Sequence, residues 1–291
     1  MKKVTTIYCW LSILCLTLGE AAWGSDTILE GNYLRVGVSE SGGLIDDSFT
    51  VGIDFDSTGN ANWTTYDFLK PGSAFEFYSI GVNGEWKAGY ESGNSFDAVT
   101  TNTSAGSMNS AVTTGSYGDL AFTQLVRFAD GAGAIDFVVQ FTNTSTSESY
   151  DVVYARGLDP DQDVYAGGGY DTTNTIVNGD LVTGSAPQTD WTIGIYSDST
   201  FAHQPSINAD WYTDPYDLLN PWDDGDGDYT INMAWNLGTL APGDTATLAF
   251  QYRIAETSGG VVGPTVPAPG AIALAAIGSG LIGWFRRRRT L

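Results

Sequence analysis

Carboxylates at alternate positions are the clearest chemical signal in the chain. Asp159, Asp161 and Asp163 lie in the run Leu158-Asp-Pro-Asp-Gln-Asp163, and Asp224, Asp226 and Asp228 in Trp222-Asp-Asp-Gly-Asp-Gly-Asp228. In a tight loop this spacing can turn several oxygens onto one hard cation such as calcium. Gly225 and Gly227 permit sharp turns, so Asp224, Asp226 and Asp228 are the expected calcium ligands. Neither run completes an EF-hand loop. Counted from Asp224, the sixth residue is Tyr229 where glycine is required, and the twelfth is Trp235 where glutamate belongs. Residues 159–163 are expected to border a pocket, and a solvated acidic loop is the competing reading for both runs.

Aromatic residues give a second signal. Trp211 and Trp222 share polar loops with acids, in Asp210-Trp-Tyr-Thr-Asp214 and Asn220-Pro-Trp-Asp223. A flat ring can stack on the apolar face of a sugar while neighbouring carboxylates accept its hydroxyl protons. Trp191 and Trp235 fall inside strand-like patterns and are expected in the core. Other chemistry fails on inventory. His203 is the single histidine, expected at a loop or edge, and no GxSxG or P-loop pattern occurs. Both cysteines, Cys9 and Cys15, lie in the first 24 residues. Paired-carboxylate glycan hydrolysis needs only two acids, so inventory leaves it open, but no pair stands out.

The elements that must hold these residues read as strands. Apolar and polar residues alternate over 33–38, 49–56, 75–82, 120–128, 134–142, 150–156, 191–197, 230–236 and 246–254, with many β-branched and aromatic side chains. Asn83-Gly84, Asp130-Gly131, Asn178-Gly179 and Pro242-Gly243-Asp244 supply turn chemistry between them. The expected fold is all-β, a large antiparallel β-sandwich of about 10–14 strands spanning residues 25–258. Hydrophobic residues make up 42% of the chain, enough to build such a core. Residues 25–258 carry 6 bases against 33 acids, a balance of −27 that repels phosphate and excludes nucleic acid as a partner.

The two ends read as addresses. Lys2 and Lys3, the apolar stretch 7–18 and the small residues Ala22 and Gly24 predict a signal peptide over 1–24. At the other end, a Gly/Pro linker over 259–269 ends in Val266-Pro267-Ala268-Pro269. The uncharged stretch 270–285 reaches about 24 Å as a helix, slightly short of a full hydrocarbon core. Arg286, Arg287, Arg288 and Arg289 follow as a cytoplasmic stop, so 270–291 reads as a transmembrane helix with an arginine-rich tail.

A Val-Pro-x-Pro element, a glycine-rich apolar helix and a terminal arginine cluster behind a signal peptide resemble the PEP-CTERM sorting signal. The resemblance covers less than a tenth of the chain. It implies recognition by exosortase, a membrane transpeptidase, near Val266, Pro267 and Pro269, in a Gram-negative-type bacterium with an exopolysaccharide matrix. Ala268 departs from the pattern, which has glutamate at that position. Two functions follow. One is a non-catalytic exported protein of the cell surface or matrix; the other is a carbohydrate-binding or glycan-processing β-sandwich of the envelope.

Overall fold

A computed structural model describes residues 27–63, 67–90 and 95–255. The expected signal peptide, linker, Val266–Pro269 motif, membrane helix and arginine stop lie outside the described residues. Among the described residues, no helix is long and apolar enough to cross a membrane.

Almost all regular structure is β-strand. One sheet aligns, in spatial order, β11 (Thr173–Asn178), β12 (Leu181–Ser185), β13 (Thr192–Tyr196), β17 (Thr245–Ala255), β9 (Ala134–Asn143), β8 (Leu120–Ala129), β7 (Met108–Tyr117) and β6 (Val99–Asn102). A second aligns β15 (Trp222–Asp223), β14 (Ala202–Asn208), β16 (Thr230–Leu240), β10 (Tyr150–Leu158), β4 (Glu76–Val82) and β5 (Glu85–Tyr90). A small third sheet joins β1 (Thr27–Glu30), β2 (Leu34–Val38) and β3 (Ile53–Phe55). Neighbours pair antiparallel except β14 and β15.

Side-chain alternation decides which face is buried. Phe122, Val126 and Phe128 of β8, Phe137, Val139 and Phe141 of β9, and Leu248, Phe250 and Tyr252 of β17 point into one core. Tyr78, Ile80, Val152, Tyr154, Met233 and Trp235 meet them from the six-stranded sheet. Phe141 lies 5.7 Å from Tyr154 and Phe250 lies 4.8 Å from Trp235, ring centre to ring centre, so the two large sheets pack as a sandwich. Each such aliphatic or aromatic side chain contributes about 1.5–3 kcal/mol on burial.

The six-stranded sheet is covered on its other face too. Residues 209–221 fold back across it, with Leu218 buried on Phe77, Ala155 and Ala234. Ser79 Oγ donates to Thr213 O at 2.6 Å, and the Gly84 N–H donates to the Tyr216 hydroxyl at 2.8 Å. Gly81 is required beneath this cover, because a Cβ there would meet the Tyr216 ring at 2.7 Å.

Two parts of the strand expectation change. Of residues 49–56 only β3 forms, because the Asp46 carboxylate accepts from the backbone N–H groups of Thr50 and Val51 and ties this segment into a turn. Strands β6, β7 and β11 lie in segments rich in Ser, Thr, Asn and Gly, and β14 carries His, Gln and Pro in its middle, so alternation gives little signal in any of them.

Candidate functional site

Strand pairing brings the two acidic runs together. Leu158, the last residue of β10, lies opposite Ile231 near the start of β16, so Asp159 leaves one strand where Asp228 approaches the next. The Asp159 N–H donates to Phe75 O at 3.0 Å and the Asp161 N–H to Phe68 O at 2.8 Å, which fixes the backbone carrying both carboxylates. Carboxylate oxygens of Asp159, Asp161 and Asp228 lie within 4.8 Å of one another. Asp159 and Asp161 are each 2% exposed, whereas Asp228 is exposed.

Burial and crowding act on these carboxyls in the same direction. Burial first, then the Asp228 charge and its hydrogen bond, pushes Asp159 up to about 8. Burial, then Asp159 and Asp228, pushes Asp161 up to about 9. The Oδ1 atoms of Asp159 and Asp161 are buried without a hydrogen-bond partner. Among the described residues, no ion pair reaches any of the three acids.

Of the expected calcium ligands, Asp228 alone joins this cluster. The Asp224 carboxylate accepts from Ala209 N at 2.8 Å and from the Trp222 indole N–H at 2.9 Å. The Asp226 carboxylate accepts from Asn174 N at 2.9 Å. Both shape the 223–228 loop. Asp163, the last acid of the other run, accepts from Gln188 N, Thr189 N and the Thr189 hydroxyl.

Aromatic side chains gather at this end of the six-stranded sheet. Trp222 pairs with exposed Tyr212 at 5.0 Å. Trp211 stacks on Phe75 at 5.1 Å. Trp191 and Trp235 are buried, as their strand patterns imply. Sequence reasoning missed Tyr170, which is 45% exposed. A Cβ on Gly72 would meet the Tyr170 ring at 2.6 Å and Asp161 Oδ2 at 3.4 Å, so ring and carboxylate share one wall. A tyrosine directly after Gly167-Gly168-Gly169 was the available signal. His203 sits apart, on β14, with its ring nitrogens against Phe201 O and Asp180 Oδ1.

Retaining glycosidases hold their two carboxyls about 5–5.5 Å apart, across a sugar, and inverting ones hold them further apart. Here three carboxyls converge, with ligand oxygens within 4.8 Å of one another, and two of them are buried. Such a set is suited to sharing protons or gripping a cation.

No protein-family model matches the chain, and no match is found among curated proteins. Similar folds occur among solved structures. A bacterial glucoamylase complexed with acarbose aligns with a TM-score of 0.52 at 10% identity, over 81% of this chain and 33% of the glucoamylase. A TPR-domain containing protein from Parabacteroides distasonis aligns with a TM-score of 0.50 at 8% identity, over 84% of this chain and 49% of that one. The GH36 α-galactosidase AgaA of Geobacillus stearothermophilus aligns at 9% identity and a TM-score of 0.40, over 80% of this chain and 41% of the enzyme. The chain thus spans less than half the length of each. At these identities the first two share with this chain an overall fold.

Proposed function

We propose that this chain is an exported glycan-binding protein of a bacterial envelope, carried out by its signal peptide and sorted through the Val266–Pro269 tail. The carrying observation is that Tyr170, Tyr212, Trp222 and the exposed carboxylate of Asp228 lie at one end of the six-stranded sheet, with Asp159 and Asp161 buried behind Asp228. Rings that stack on sugars beside oxygens that accept hydroxyl protons are the usual means of holding a carbohydrate. The fold likeness to a glucoamylase supports the reading. The burial of Asp159 and Asp161 keeps two of the three carboxyls from a bound sugar, which favours binding over hydrolysis. An acidic surface suits a hydrated, cation-bridged exopolysaccharide, and an exosortase-like transpeptidase is the proposed processing partner.

The test is calorimetric titration of the purified protein with a panel of neutral and acidic polysaccharides. Saturable binding that weakens about tenfold in Tyr212→Ala or Trp222→Ala is expected, equivalent to about 1.4 kcal/mol. Absence of binding across the panel, or affinity unchanged by both substitutions, would overturn the reading. Intact-mass analysis tests the sorting proposal: loss of the tail near Val266–Pro269 supports transpeptidase processing, and an intact Leu291 counts against it.

A further inference from the structure

We infer that Asp159, Asp161 and Asp228 form a calcium site that pins the 223–228 loop to the end of β10. An acidic surface patch would not support this, since solvated carboxylates crowd together on many acidic proteins. Here two of the three are almost wholly buried, and each has an Oδ1 that no protein donor reaches. Burying an unpaired carboxylate is costly, and two facing each other compound the cost unless something positive lies between them.

The donor set points to a hard divalent cation. All three ligands are carboxylates, a set suited to calcium or magnesium and poorly suited to softer transition metals. Calcium–oxygen distances of about 2.3–2.6 Å place oxygens on opposite sides of one ion up to about 5 Å apart, against about 4 Å for magnesium. Oxygens all within 4.8 Å of one another can share one calcium ion, the larger of the two and the one proposed. Water can fill the remaining positions.

The loop is already positioned for this role. Thr172 and Gly227 exchange backbone hydrogen bonds at 3.0 Å in both directions, and the Asn174 side chain donates to Gly225 O and Gly227 O. Asp228 therefore reaches the buried pair from a loop held by other bonds, which lowers the ordering cost of binding. The same loop begins beside Trp222, so the ion would also steady the aromatic surface. The site itself does not rest on the glycan reading.

The test uses the purified full chain after treatment with EDTA, titrated with calcium chloride in a calorimeter and melted with and without millimolar calcium. Saturable heat and a rise in melting temperature of about 5–10 °C at a hundredfold excess over Kd are expected. Asp161→Asn and Asp228→Asn should lose both responses, whereas Asp224→Asn keeps them. Asp228 is exposed, so its variant keeps the test open if Asp161→Asn fails to fold. Wild-type protein without heat or melting shift, or Asp228→Asn with wild-type affinity, would overturn the inference. Glycan titration of the calcium-free protein reads the other proposal separately.

Discussion

Arg156 and Asp159 lie three residues apart, one within β10 and one just beyond it, and the molecule treats their charges in opposite ways. Arg156 points into the core, where its guanidinium donates to Glu76 Oε1, Gln124 Oε1 and Gly42 O. Glu76 also accepts from the Tyr252 hydroxyl and from Leu44 N. The Arg156 guanidinium sits 4.4 Å from the centre of the Phe137 ring. Charge there is neutralised within the protein, and nothing further is required. Asp159, by contrast, faces two more acids and no base. Buried charge with its partner supplied completes a core, whereas buried carboxyls without a base hold their protons until a positive partner comes from outside.

Substitutions can break that contrast. Arg156→Met should cost most, about 3–5 kcal/mol in urea unfolding, because it strands a buried carboxylate; replacing Glu76 by Leu as well should recover much of the loss. Asp161→Asn should act with the opposite sign, raising calcium-free stability by roughly 1–3 kcal/mol. A loss comparable to that of Arg156→Met would show that the two sites are alike after all.

The pH dependence sharpens the same point. Asp159 and Asp161 are held up at about 8 and about 9, so between pH 4 and pH 9 the folded chain binds more protons at these groups than the unfolded chain does. Their favourable contribution is complete at low pH and is lost as pH rises through that window. In calcium-free melts, the wild type should therefore fall relative to Asp161→Asn as pH increases, and saturating calcium should remove the trend. Asp56 provides the reverse case. Hydrogen bonds from Asn62 N and Thr58 lower its carboxyl to about 2, so its contribution is present above the usual carboxylate range and disappears as pH falls towards 2. Wild type minus Asp56→Asn, measured across acid pH, would show it.

Smaller effects test the surroundings. Gly72 has φ +70°, and a side chain there meets Tyr170, so Gly72→Ala should cost about 1–2 kcal/mol and weaken calcium binding through the displaced wall. Trp222→Ala, at a partly exposed ring, should change unfolding stability by under about 1 kcal/mol while lowering glycan affinity.

Much of the fold was legible where one face of a strand meets the core. The alternation along β8, β9 and β17 is the core itself written in sequence, and Asn83-Gly84 marks the β4–β5 hairpin through two positive φ angles. Strand β14 was not legible, because Ala202-His-Gln-Pro-Ser-Ile-Asn208 carries polar groups beneath the 209–221 cover. The candidate site was half legible. Both acidic runs stood out, but their union depends on the antiparallel register of β10 with β16, a contact between residues about 70 positions apart that local spacing does not encode. Asp224 and Asp226 looked like ligands by spacing, yet backbone and indole N–H groups claim their oxygens, and that competition appears only after folding.

The most direct test of the account is a crystal structure of the protein grown with calcium at neutral pH, with an anomalous difference map. The account predicts a peak between Asp159, Asp161 and Asp228, bonded to all three carboxylates at about 2.3–2.6 Å. A map without that peak, with the three carboxyls paired through shared protons, would contradict it.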